Sequence, residues 1–139
     1  MTALQVSVVS SEAEIFMGEA SWVILPGRVG ELGIKPGHAP LLTILRPGSM
    51  RIVQTNELEQ VLYVSGGYAE IQPHLITVLA DTVVRASNLD FKRAQLARES
   101  AQKTIAHGAI GIDFVKAKLE LSKACAQLRT IENLRKRKT

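Results

Sequence analysis

The pattern of apolar residues changes abruptly at Ser87, and this change constrains the fold more than any other feature of the sequence. Before Ser87, apolar residues occur in short runs that alternate with polar ones, as at residues 4–8. After it, they recur every three or four residues. A two-residue period is typical of half-buried strands and a 3.6-residue period of helices. The sequence therefore predicts a β-rich domain, residues 1–86, and a helical domain, residues 87–139.

The N-terminal domain contains eight or nine β-prone runs separated by glycine, proline or polar turns. The clearest runs cover residues 4–8, 15–20, 22–25, 41–45, 50–54, 61–65, 68–72 and 75–80. Short strands with turns every eight to twelve residues are typical of an antiparallel sandwich or barrel. We therefore predict a β-sandwich of antiparallel strands.

Two helices are predicted in the C-terminal domain. The first begins with Ser87 as its cap and ends near residue 106, and a break with two glycines follows. Asp113 is predicted to cap the second helix, which continues into a basic tail. Each helix has one apolar stripe, formed by Ala94, Ala97, Ala101 and Ile105 in the first and by Phe114, Ala117, Leu121, Ala124, Leu128 and Ile131 in the second. The two stripes predict an antiparallel helical hairpin.

Alanine dominates one side of the predicted helical contact. A buried leucine contributes on the order of 1.5–3 kcal/mol and each buried methyl-sized group only about 0.8 kcal/mol. We therefore expect the hairpin to be weakly held, both internally and against the sandwich. A partner that favours an open form by a few kcal/mol would then release it.

Residues 30–42 contain three glycines, two prolines, Lys35 and His38, and so invite comparison with a phosphate-binding loop. The spacing excludes a Walker loop, because Lys35 is followed by Pro36 and Gly37. It also excludes a dinucleotide fingerprint, since no two glycines are separated by a single residue. We interpret the segment as a turn-rich element and His38 as a hydrogen-bonding turn residue.

The sequence has no pattern typical of an independent enzyme. His38, His74 and His107 lie far apart, and neither a zinc motif nor a G-x-S-x-G elbow is present. Cys125 is the only cysteine, which favours a reducing compartment and a role in helix packing. We expect no metal, no signal peptide and no membrane-spanning helix, and hence a soluble or peripheral protein.

Charge is divided unevenly between the two domains. Residues 1–86 carry five basic and eight acidic side chains, and residues 87–139 carry twelve basic and five acidic ones. A basic hairpin indicates a solvated helix surface, a nucleic-acid partner or an acidic protein partner. Aromatic residues make up only 4% of the chain, which argues against recognition of single-stranded nucleic acid by stacking.

Several segments carry a family resemblance. They are residues 30–42, 63–67, 71–73 and 77–82 of the sandwich and residues 89–94, 126–129 and 131–132 of the hairpin. In these segments the chain resembles the epsilon subunit of bacterial F-type ATP synthases, and the resemblance covers nearly its whole length. It implies a ten-stranded β-sandwich followed by a C-terminal helical hairpin.

The resemblance also implies a function, that of a non-catalytic central-stalk subunit. The sandwich would bind the gamma subunit and the c-ring and couple proton transport to ATP synthesis. The hairpin would fold down on the sandwich, or extend along gamma into the catalytic head of alpha and beta subunits and inhibit ATP hydrolysis. In the extended state its basic residues would face acidic segments of the beta subunits. The implied partner-contacting residues are Glu31, His38, Lys116, Lys123 and Arg129. The protein would lie peripherally on the cytoplasmic side of the bacterial inner membrane.

Some members of the resembled family bind ATP through a Leu/Ile-Asp-x-x-Arg-Ala-x-x-Ala-x-x-Arg-Ala pattern. Leu89, Asp90, Arg93, Ala94, Ala97 and Ala101 match this pattern, but Ser100 replaces its second arginine. Loss of a charged phosphate contact costs about 1.5–3 kcal/mol. The resemblance therefore implies no required cofactor, and ATP only as a weak regulatory ligand of Asp90 and Arg93.

Overall fold

The computed structural model describes residues 3–138, which form ten strands followed by two helices. Residues 1, 2 and 139 of the predicted domains lie outside the described residues. The strands are β1 (Leu4–Ser10), β2 (Glu14–Ala20), β3 (Trp22–Gly27), β4 (Gly30–Ile34), β5 (Leu41–Leu45), β6 (Gly48–Val53), β7 (Glu59–Val64), β8 (Gly67–Ile71), β9 (Leu75–Ala80) and β10 (Val83–Arg85). A 3₁₀ turn, Ala86–Asn88, leads into α1 (Phe91–Ala106) and α2 (Gly111–Lys138).

The strands form two layers, which confirms the predicted sandwich. One layer has the order β10–β7–β6–β3, with β4 added on β3, and the other has the order β5–β8–β9–β1–β2. The two layers are joined where Gly27 of β3 pairs with Leu45 of β5. Neighbouring strands are antiparallel except β1 and β9, which run parallel.

Alternating side chains of both layers fill the space between them. In β1, Leu4, Val6 and Val8 are buried at every second position, as the two-residue period predicts. The other layer contributes Val23, Leu25, Ile34, Met50, Ile52, Leu62 and Val64 to the same core. Residues between these positions point outward, and they form the two outer faces of the sandwich.

Two strands and two helix starts differ from the sequence prediction. Residues 30–34, predicted as part of a loop, form β4 because pairing with β3 holds them extended despite two glycines. β10 has only three residues, too few for a local pattern. Asp90, not Ser87, caps α1, with its Oδ1 accepting a hydrogen bond from the Arg93 N–H at 3.1 Å. Asp113 does not cap α2 but lies in its first turn, because α2 begins at Gly111.

The hairpin is closed mainly by small residues, as predicted. Ala94 and Ala101 of α1 are buried, and so are Ala117, Ala124 and Ile131 of α2. Of the other predicted stripe residues, Ile105, Leu121 and Leu128 are half-buried and two are exposed. Ala97 is exposed because it lines an open groove of ≈ 430 Å³ between the helices. Phe114, near the start of α2, is 37% exposed, and the Lys118 ammonium lies 5.8 Å from its ring centroid.

α2 packs against the sandwich as well as against α1. It contacts β6, β7 and the 3₁₀ turn, so it covers the outer face of the first layer. Ala126 and Thr130 are buried and lie on the side of α2 turned away from α1, which makes them the sandwich-facing residues. The outer face of the second layer remains on the opposite side of the molecule.

Candidate functional site

A row of apolar side chains crosses the outer face of the second layer. Ile44 of β5 pairs with Tyr68 of β8, Tyr68 with Leu79 of β9, and Leu79 with Val9 of β1. Directly paired residues point to the same face of a sheet, so the four side chains are neighbours. Ile44, Tyr68 and Leu79 are each about half exposed. We call these four residues the apolar row.

The surroundings of the apolar row extend it into a larger surface. Leu42 lies two residues before Ile44 on the same face and is exposed, as is Met17 of β2. A shallow depression of ≈ 580 Å³ lies along the row and is bordered by Ser10, Ser11 and Asp81. A contiguous apolar surface with a polar rim is typical of a protein-interaction site.

A second apolar surface lies on α2. Ile112, Val115 and Leu119 continue the stripe of Ala126 and Thr130 toward the start of the helix, with steps of three, four, seven and four residues. Their exposed fractions fall from 85% at Ile112 to 66% at Val115 and 47% at Leu119. The start of α2 therefore extends beyond the edge of the sandwich and leaves this part of the stripe uncovered.

Three basic residues of α2 were predicted to contact other subunits. Lys116 and Arg129 are exposed, whereas Lys123 is half-buried. Lys116 lines the groove between the helices together with Asp113 and Glu120. The structure does not bring the three residues together at one site, and their contact with other subunits stays a prediction.

Glu31 and His38 lie on the sandwich. Glu31 is exposed on β4, where it pairs with Pro26. His38 is half-buried in the loop after β4, and its Nδ1 lies 2.7 Å from the Ala39 carbonyl oxygen. Its backbone N–H also donates to the Lys35 carbonyl at 3.2 Å, so His38 is the hydrogen-bonding turn residue that the sequence indicated. Contact of either residue with a partner stays a prediction.

The predicted ATP residues lie at the start of α1. Arg93 and Asp90 are both exposed, and the Asp90 carboxylate is engaged in capping the helix. Ser100 lines the groove between α1 and α2. Arg98 instead lines a separate cavity of ≈ 310 Å³ together with Phe91 and Arg135. Arg98 therefore does not stand in for the arginine that Ser100 replaces.

Metal binding and membrane insertion by a helix have no support in the described part of the chain. Within residues 3–138, no three His, Cys, Asp or Glu side chains are grouped so as to hold a metal ion. No helix in this range is both long and apolar enough to cross a membrane. The two apolar surfaces, by their exposed apolar side chains, are suited to binding other proteins.

Two family models match consecutive parts of the chain. The ATP synthase, Delta/Epsilon chain, beta-sandwich domain matches residues 3–86, and the ATP synthase, Delta/Epsilon chain, long alpha-helix domain matches residues 87–132. The chain belongs to the ATP synthase delta/epsilon family. This confirms the resemblance found in the sequence.

Relatives of known name support the same assignment. The ATP synthase epsilon chain of Alkalilimnicola ehrlichii is 48% identical over 137 residues, which cover 99% of this chain and 98% of that one. The ATP synthase epsilon chain of a Janthinobacterium species is 47% identical over 136 residues, which cover 97% of each chain. Within the delta/epsilon family, the chain is thus similar to epsilon chains over nearly its whole length.

Solved structures show the same fold at low sequence identity. A chain of the Euglena gracilis mitochondrial ATP synthase matches with a TM-score of 0.81 and 15% identity, over 88% of this chain and 77% of that chain. A chain from the central stalk and c-ring of the Tetrahymena thermophila mitochondrial ATP synthase matches with a TM-score of 0.60 and 13% identity, over 92% and 96%. These likenesses confirm the delta/epsilon fold.

Sequence reasoning did not identify the apolar row. A signal was present in residues 41–45, where four of five residues are apolar and both faces of the strand are therefore apolar. Such a run is typical of a strand covered on both sides. In this delta/epsilon chain Leu45 on one side is buried in the core, whereas Leu42 and Ile44 on the other side are exposed.

Proposed function

We propose that this chain is the central-stalk epsilon subunit of a bacterial proton-translocating ATP synthase. In this role it couples proton transport to ATP synthesis, and its hairpin inhibits ATP hydrolysis. It is a non-catalytic subunit, and the catalytic sites lie on other chains. The observation that carries the proposal is the 48% identity to an epsilon chain across 99% of the sequence.

We assign the apolar row to the gamma subunit. Permanent interfaces are more apolar than transient ones, and gamma is the partner that a central-stalk subunit keeps throughout rotation. The row offers exposed apolar groups on four neighbouring strands, on the side of the sandwich that the hairpin leaves open. The c-ring then contacts a more polar part of the sandwich that includes Glu31 and His38.

We assign the uncovered stripe of α2 to the catalytic head. When the hairpin extends, Ile112, Val115 and Leu119 gain an apolar partner, while Lys116, Lys123 and Arg129 meet acidic segments of the alpha and beta subunits. The excess of twelve basic over five acidic side chains in residues 87–139 supports this arrangement. The protein is then a peripheral protein on the cytoplasmic side of the inner membrane, associated with the membrane through the complex and not through a nucleic acid or lipid site of its own.

ATP is proposed only as a weak regulatory ligand of Asp90 and Arg93. Asp90 already caps α1, and Ser100 supplies no positive charge. Calorimetry of the isolated protein with ATP tests the assignment, with binding no tighter than millimolar expected. Binding tighter than millimolar would show that other residues compensate for the missing arginine.

Deletion of residues 87–139 tests the function. The assembled complex is compared with the full-length chain and with the deletion, and both ATP hydrolysis and the amount of bound subunit are measured. We expect the sandwich to remain in the complex and hydrolysis to rise. Unchanged hydrolysis with normal assembly would refute the inhibitory role, and failure of the full-length chain to join the complex would refute the subunit assignment.

A further inference from the structure

Two buried hydroxyl groups lie where α2 covers the sandwich. The Tyr63 side chain is one of the largest fully buried groups, with 1% of the residue exposed. Its hydroxyl and the Ser49 hydroxyl are buried, and neither has a hydrogen-bond partner within the part of the chain that the structure describes. Most buried polar groups in folded proteins are hydrogen-bonded, so two such groups in one interface need an explanation.

The strand register places both hydroxyls beneath α2. Ser49 of β6 pairs directly with Tyr63 of β7, so the two side chains point to the same face. Their neighbours Met50, Leu62 and Val64 point into the core between the layers. Tyr63 and Ser49 therefore belong to the outer face of the first layer, which α2 covers.

Two side chains of α2, Gln127 and Glu120, lie close enough to the Tyr63 phenol to affect its pKa. Burial raises the pKa of Tyr63 to about 12, while the nearby Gln127 side chain lowers this pKa and the Glu120 carboxylate raises it. The Gln127 contact does not meet the combined distance and angle requirement of a hydrogen bond, which leaves the hydroxyl without a well-formed bond among the described residues. Docking of α2 therefore removes the Tyr63 hydroxyl from water, and the helix gives it no well-formed hydrogen bond in exchange.

Thr130 provides a contrast within the same interface. Its residue is 0% exposed, and its hydroxyl donates to the Ala126 carbonyl oxygen at 2.8 Å. This bond joins two residues of α2 and involves no atom of the sandwich. Docking therefore changes the hydrogen bonding of Tyr63 and Ser49 but not that of Thr130.

We propose that the Tyr63 and Ser49 hydroxyls are a release device that weakens the docking of α2 on the sandwich. In the released state both hydroxyls bond to water, whereas in the docked state both lose these bonds. Val61, the Tyr63 ring and Ala126 are buried where α2 covers β7. Their burial stabilises the docked helix, and the two hydroxyls offset part of that stabilisation. The inference rests on the proposed inhibitory role only for its effect on ATP hydrolysis.

Hydrogen exchange of the isolated full-length chain tests the release device. A helix without its tertiary contacts is marginal in water, so the α2 amides report release. Tyr63→Phe and Ser49→Ala each remove one unpaired hydroxyl, and we expect each to raise the protection of these amides on the order of tenfold. The double variant should exceed either single variant.

Thr130→Val is the matched control, since it removes a buried hydroxyl of the same interface that already has a partner. We expect it to leave the protection of α2 unchanged or to lower it. The inference is overturned if Tyr63→Phe and Ser49→Ala do not raise protection, or if Thr130→Val raises it equally. Ser49→Ala removes a single oxygen atom. If Tyr63→Phe does not fold, the protection of α2 in Ser49→Ala alone tests the inference.

ATP hydrolysis by the assembled complex separates this inference from the proposed function. Variants that strengthen docking should hydrolyse ATP faster than the wild type, approaching the complex that lacks residues 87–139. Stronger protection with unchanged hydrolysis would support the release device and contradict the inhibitory role. Unchanged protection of α2 in the variants, together with faster hydrolysis by the complex that lacks residues 87–139, would contradict the release device and support the inhibitory role.

Discussion

The titration of Tyr63 gives a quantitative test of how α2 is held. In the docked state the pKa of this phenol is raised from its ordinary value of 10.0 to about 12, chiefly by burial. The docked state therefore binds the phenolic proton more tightly than the released state does. Alkaline pH should remove the proton and release α2.

The sign and the size of the effect follow from linkage. Below pH 10 the phenol is protonated in both states, and docking keeps its full stability. As the pH rises from 10.0 to about 12, the released state loses its proton first, and docking is progressively weakened. A shift of this size corresponds to a loss on the order of 3 kcal/mol.

The chain contains the reporters that the assay needs. It has two tyrosines, so Tyr68→Phe leaves Tyr63 alone to give the tyrosinate absorbance. Trp22 in the sandwich and Cys125 in α2 are each the only residue of their type. Energy transfer from Trp22 to a dye on Cys125 therefore measures docking at a pH where amide exchange is too fast to follow.

We expect the absorbance midpoint of the Tyr68→Phe chain clearly above pH 10 and no higher than about 12 in buffer, because deprotonation is coupled to release, and near pH 10 in urea, where α2 is released. Energy transfer should fall in the same range. The chain with both Tyr63→Phe and Tyr68→Phe lacks tyrosine and gives the loss of docking caused by other groups. A midpoint near pH 10 in the folded protein would refute the burial of Tyr63 beneath α2.

Three further outcomes are expected. Leu79→Glu should weaken subunit binding at least tenfold while changing the stability of the isolated chain by no more than about 0.5 kcal/mol. The control Leu58→Glu, at a similarly exposed leucine outside the apolar row, should leave binding unchanged. Gly67→Ala should lower the melting temperature, since Gly67 has φ +143° and an added methyl group would meet the Leu79 carbonyl; an unchanged melting temperature would contradict this. Asp90→Ala should cost about 1 kcal/mol of helix stability, seen as faster exchange in the first turn of α1 and not in α2.

Local patterns predicted most of the elements. The run at Leu75–Ala80 matches β9 residue for residue, and the end of α1 at Ala106 was predicted from the glycines that follow it. The helix starts were displaced, because Ser87, Asp90 and Asp113 are all good capping residues. Only the backbone hydrogen bonds decide which of them caps a helix.

The candidate site was less predictable than the fold. Residues on the outer faces of the sandwich cannot be told from core residues by hydropathy when both are apolar. Leu42 and Leu45 have the same side chain, yet Leu42 is exposed and Leu45 is buried. The strand that contains them has two faces, and the packing of the rest of the chain determines which face is covered.

The sequence by itself determined the sandwich, the hairpin and the family, because strand and helix periods are local and the matching segments are contiguous. The tertiary structure alone decided that Ile44, Tyr68, Leu79 and Val9 form one row, since strand pairing brings together residues up to 70 positions apart. It also decided that Tyr63 lies beneath α2 and not in the core. The physical reason is that the burial of a strand face depends on which distant segment of the chain packs against it. The local sequence pattern does not identify that segment.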